Sequence, residues 1–194
     1  MSAVPLRKAS YEEYLALERT SETKHEYVNG EIYAMAGGTP EHGRLAAKLA
    51  RLVGNALTGR PCEVFSSDVR VRVESRGRST YPDLSIVCSK LVASSDDADA
   101  ITNPMVIVEV LSPPTEQHDR GDKWAHYRRI PSLACYVLVG HDERSIETYR
   151  RDGRRWVYEA FGPGEVAVIA GAEVSLAVDE LYASALDEGA LGTG

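Results

Sequence analysis

Apolar and polar positions alternate along this chain with a period that changes from block to block, and each change marks a new element. Ser10 and Glu13 make a capping-box pattern around Tyr11, Tyr14, Leu15 and Leu17, which predicts a short amphipathic helix near the start. Between His25 and Met35, Asn29-Gly30 separates two alternating stretches, the strongest short signal for a tight hairpin. Thr39 and Pro40 then open a helix that Gly59 stops, with Leu45, Leu49, Leu52, Val53 and Ala56 as its inward stripe.

Strand-like periods follow. Cys62 to Ser66 alternates, and Val69, Val71 and Val73 oppose Arg70, Arg72 and Glu74, so one face is buried and one is wet. Arg76-Gly77-Arg78 reads as a turn and the Asp- and Ser-rich link from Ser89 to Asn103 as a surface loop. Leu84 to Cys88 and Met105 to Leu111 are apolar on both faces, as central strands covered by helices must be. A helix from about Gln117 to Arg129 ends before Pro131, and strands are expected at Ala134 to Val139, Ser145 to Arg150 and Arg154 to Ala160. Val178 to Leu186 suggests a short closing helix. This order predicts an α/β fold with one central mixed sheet flanked by helices, a single domain over residues 1–194 with 1–9 and 187–194 flexible.

Composition narrows the classes. The chain has 194 residues, 22 Lys+Arg against 29 Asp+Glu, and a formal net charge of −7, so contact with a polyanion must come from local patches or bound cations. No apolar stretch approaches the roughly 20 residues of a membrane span, and nothing near Met1 resembles a signal peptide, which gives a cytoplasmic expectation. Cys62, Cys88 and Cys135 are scattered and odd in number, which reads as reduced core filling.

Glu109 stands inside Met105-Val106-Ile107-Val108-Glu109-Val110-Leu111, on the face of Ile107 and Leu111. A buried carboxylate there needs a basic partner, a bound cation or a proton, unless the strand end is open to water. Asp83 follows Pro82 at the mouth of the other central run, so neighbouring strands can bring the two acids together. Two carboxylates at close range suit a hard divalent cation. Asp119, Lys123 and Tyr127 share a helix face just downstream, either aimed at those acids or as an exposed Asp119–Lys123 pair. His42 lies on the inward stripe of its helix, as a site residue or as a core histidine. Glu31 is a lesser candidate and Asp68 a turn residue. Arg70, Arg72, Arg76 and Arg78, or Arg150, Arg151, Arg154 and Arg155, can form a positive rim for phosphate or serve as solvated strand and turn residues.

Taken in order, Glu26-Tyr27-Val28-Asn29-Gly30-Glu31-Ile32, His42, Pro82-Asp83-Leu84-Ser85, Val108-Glu109-Val110-Leu111-Ser112-Pro113 and Asp119 with Lys123 and Tyr127 resemble the Uma-two family of the PD-(D/E)XK nuclease superfamily. The resemblance runs over about residues 10–185 and implies a restriction-endonuclease-like fold. It further implies a Mg²⁺- or Mn²⁺-dependent endonuclease acting on DNA, with Asp83, Glu109 and the carbonyl of Val110 as metal ligands. Leu111 stands where the superfamily carries its lysine; Lys123 matches a lysine displaced to the following helix, and His42 a helix that contributes a further site residue. The alternative is a nuclease-like fold that binds or assembles without cleaving, with the edge near Trp156, Tyr158 and Phe161 supporting a homodimer.

Overall fold

The computed structural model describes residues 6–184 apart from 36 and 114. The flexible tail expected over 187–194 therefore lies outside the described residues, as do 1–5 of the expected amino-terminal one. Within that amino-terminal segment Arg7 and Lys8 form a strand paired with Ile32 and Glu31, so this part is tied down rather than loose.

In chain order the elements are β1 (Arg7–Lys8), α1 (Tyr11–Glu18), β2 (His25–Val28), β3 (Glu31–Ala34), α2 (Pro40–Ala56), β4 (Glu63–Ser66), β5 (Arg70–Val73), β6 (Arg78–Thr80), β7 (Leu84–Val87), β8 (Ala100–Ile101) and β9 (Val106–Val110). There follow α3 (Glu116–His118), a π-helical turn (Asp119–Lys123), α4 (Trp124–Tyr127), β10 (Cys135–Val139), β11 (Ile146–Asp152), β12 (Arg155–Phe161), β13 (Val166–Ile169), β14 (Val174–Ala177) and α5 (Val178–Tyr182).

The expected central sheet is present, in the order β12-β11-β10-β9-β7-β4. Its one parallel pairing is β9 with β10, and both strands are buried along their whole length. On one face Leu45, Leu49 and Val53 of α2 pack on Val106, Val108 and Val110, with β13, β14 and α5 closing the same cluster. On the other face Ile107 and Leu111 meet Tyr127, Tyr136 and Leu138, together with Val71 and Val73. Those last valines belong to a second six-stranded sheet, β1-β3-β2-β6-β5-β8, which the sequence reading did not separate from the first. Its strands β1, β6 and β8 are too short to show a period, so hydrophobic alternation could not reveal them.

Register corrects the reading of the cysteines. Glu63 pairs with Val87, and one further step sets Cys62 across from Cys88, which form a disulfide. Cys135 is free and buried, as expected of a core thiol. Three of the four arginines of the first proposed rim are also misassigned, while Arg76 is exposed. Arg78 is strand rather than turn and fully buried, Arg72 is buried with its guanidinium 3.7 Å over the Tyr11 ring, and Arg70 is locked onto Asp97 at 2.8 Å.

Candidate active site

The central strands deliver two acids to one end of the sheet. Leu84 pairs with Val108 and Ser85 with Ile107; one more step in that register places Asp83 opposite Glu109. Pro82 has no N–H for the ladder, so β7 begins just after Asp83 and its carboxylate is free to bend inward. There Asp83 Oδ2 accepts a 2.7 Å hydrogen bond from the Val110 N–H.

His42 reaches the same oxygen from the other side. Thr39 caps α2 by accepting from the His42 N–H, and Pro40 occupies the first turn, which fixes where His42 sits. Its Nε2 is 3.2 Å from Asp83 Oδ2. That hydrogen bond raises the imidazole's pKa, against the opposing effect of burial.

Glu109 is 3% exposed and projects toward the helical side of the sheet. Lys123 Nζ lies 3.0 Å from its Oε1 and the Tyr127 hydroxyl donates to that same oxygen at 2.9 Å. Asp119 and Lys123, one turn apart in the π-helical segment, face each other at 2.9 Å. Thus Asp119, Lys123 and Tyr127 do converge on the strand end, and the exposed-pair reading fails: Asp119 and Lys123 are both buried. Leu111, by contrast, sits at 4% exposure among Tyr127, Ile130 and Leu133, in an apolar setting that has no use for an ammonium.

Sequence reasoning missed the other anchor of Lys123. Glu26, from β2 of the second sheet, lies 3.7 Å from Nζ and also binds Arg78 at 3.2 Å and the Thr80 hydroxyl. Its signal in the chain was its place at the head of the motif around Asn29-Gly30 that carries the resemblance, in a hairpin that looked self-contained. Glu31 is elsewhere, accepting from Tyr33 at 2.7 Å, and Asp68 is an exposed turn residue bridged to Lys24.

The electrostatics follow from the count of charges. Glu26, Asp83, Glu109 and Asp119 gather around Lys123, Arg78 and His42. Burial penalises the Glu26 carboxylate, yet Lys123, Arg78 and Thr80 outweigh it and hold its pKa down to about 2. Burial acts in the same direction on Glu109 and is the largest effect there; joined by Asp119, Asp83 and Glu26 it outweighs Lys123, and the carboxyl is pushed up to about 8. Burial would lower the Lys123 pKa, but Glu109, Glu26 and Asp119 keep it well above the usual value. Among the described residues no hydrogen bond reaches Asp83 Oδ1 or Glu109 Oε2, so each acid has one oxygen engaged and one uncommitted. No three His, Cys, Asp or Glu side chains among the described residues form a ready-made metal cage.

Comparison with known proteins agrees with this architecture. A crystal structure from Anabaena variabilis, titled "a putative nuclease belonging to DUF820", superposes with a TM-score of 0.69 at 19% identity, covering 84% of this chain and 91% of that one. The shared fold is the restriction-endonuclease-like α/β arrangement. Two proteins of Synechocystis sp., "Uncharacterized protein slr1290" and "Uncharacterized protein sll1609", are 36% identical over 181 residues and 34% over 146. These alignments span 93% of this chain and 94% of the first relative, and 75% and 82% for the second. The family profile described as "Putative restriction endonuclease" matches residues 11–179, and the chain belongs to that family, Uma2.

Proposed function

We propose that the protein is a divalent-metal-dependent endonuclease that hydrolyses phosphodiester bonds of DNA. One observation carries this reading: two opposed strand-end carboxylates, Asp83 and Glu109, each keep an oxygen uncommitted in a site where acids outnumber bases. Such a site favours one more positive charge. The donor chemistry fits Mg²⁺ or Mn²⁺, because two carboxylates and the Val110 carbonyl offer hard oxygens on one side and water can complete the shell. When bound, the cation polarises a phosphate and makes an attacking water more acidic.

The chain's own residues set the geometry for that chemistry. Val110 N–H and His42 hold Asp83 in place, while Tyr127 and Lys123 fix Glu109 through the same oxygen. Lys123 is held between Glu109, Asp119 and Glu26, which keeps its ammonium charged and pointed at the strand end, where negative charge develops during phosphoryl transfer. Supercoiled plasmid incubated with Mn²⁺ should be nicked by the wild type, and Asp83→Ala and Glu109→Ala should each lower the rate by about 100-fold or more, the scale on which losing such transition-state stabilisation is felt. Equal nicking by all three proteins, or none by the wild type, overturns the proposal. Calorimetric titration with Mn²⁺ should show binding that both substitutions abolish.

A further inference from the structure

The second group of arginines lies at the other end of the sheet. Glu109 is level with Leu138, and Leu138 with Glu147; Asp152 ends β11 five residues farther on, roughly 17 Å away at about 3.4 Å per residue. There Arg150, Arg151, Arg154 and Arg155 flank the turn between β11 and β12. Arg151 stacks on Trp156 at 4.5 Å and donates to the carbonyls of Ile130 at 2.8 Å and Arg128 at 3.2 Å. These bonds pin the end of α4 against the hairpin and so add Arg128 and Arg129 to the same tip.

Arg128, Arg129, Arg154 and Arg155 are exposed, and no ion pair among the described residues engages them. The acids on this hairpin end are Asp152, and Glu159 behind Arg150. Six arginines and no lysine thus concentrate at one end of a chain whose formal charge is −7. Leaving like charges crowded and unpaired costs stability, and nothing in the fold needs them there, since Arg151 alone makes the packing contacts.

We infer that this tip is a docking surface for the phosphate backbone of a nucleic acid duplex. Guanidinium forks match phosphate oxygens in pairs, and all six cations of the tip are arginines. The inference borrows from the proposed function only the class of polymer. Its distance from Glu109 corresponds to about five base-pair steps, so a duplex gripped at the tip extends to the strand end that carries Asp83 and Glu109.

Fluorescence anisotropy of the full chain with a labelled duplex two helical turns long, in EDTA, tests this. Arg128→Glu with Arg129→Glu, and separately Arg154→Glu with Arg155→Glu, should each weaken binding about tenfold or more and reduce the salt slope by about 2, with unchanged melting temperature. Affinity and slope within twofold of wild type in both charge reversals overturn the inference, as does tip-dependent binding to phosphatidylserine vesicles with none to duplex. Tip-dependent binding by a protein that never nicks plasmid sinks the nuclease reading and leaves the tip standing; nicking that ignores the reversals does the opposite.

Discussion

Glu26 shows how a single residue is governed by partners remote in the chain. Arg78, 52 positions later, is fully buried against it, and Thr80 and Lys123 complete its surroundings. Arg78 has no access to water, so Arg78→Ala leaves the Glu26 charge buried without its guanidinium and should cost about 3–5 kcal/mol in denaturant unfolding. The acid limb of stability has a definite sign. A carboxyl held near 2 when folded and near 4.5 when unfolded binds fewer protons in the native state, so its stabilisation is complete above that unfolded value. It is lost as pH falls from there through about 2. The loss is on the order of 3 kcal/mol, and Glu26→Gln should flatten that part of a pH–stability curve; an unchanged acid limb would show that Glu26 is not what titrates.

At the scale of elements, the segment after β9 decides whether the site exists. Leu111, Ser112 and Pro113 turn the chain directly into α3, and the π-helical turn then brings Asp119 and Lys123 onto the face that looks at Glu109. Glu109 and Lys123 were legible in the sequence because each stands out against a local period, one a charge in an apolar strand and the other a base at helical spacing. Their contact was not, since it depends on how steeply the helix leaves the sheet. Gly121 sits in that turn; a Cβ there meets nothing within 4 Å, and its φ is outside the left-handed region. Gly121→Ala should therefore stabilise the segment by up to about 1 kcal/mol through helix propensity, with plasmid nicking unchanged. Gly171 is the opposite case, with φ +83° and a Cβ that would lie 2.7 Å from that of Ala134, so Gly171→Ala should lower the melting temperature.

Across the whole molecule, two sheets and one cross-link frame the site. The Cys62–Cys88 bond closes a loop across 26 positions and ties the edge strand β4 to β7, the strand that follows Asp83. Constraining a loop of that length is worth roughly 3 kcal/mol in the unfolded chain, so dithiothreitol should lower the free energy of unfolding of wild type in denaturant by that much and leave a Cys62→Ser, Cys88→Ser protein unaffected. No helix among the described residues is long and apolar enough to cross a membrane. By itself the sequence determined the α/β class, the central strands, α2 with an inward stripe of Leu45, Leu49 and Val53, and the positions of Asp83, Glu109, Lys123 and His42, because each of these is written in a period, a cap or a breaker a few residues long. Ala56, read as part of that stripe, is exposed. Only the tertiary structure decided that Glu26 joins Arg78 to Lys123, that Cys62 pairs with Cys88, and that Arg72 and Arg78 are buried while Arg154 and Arg155 stay exposed. Those outcomes depend on strand register and on the packing of one sheet against another, where the energy belongs to pairs of residues far apart in the chain and leaves no local pattern to read.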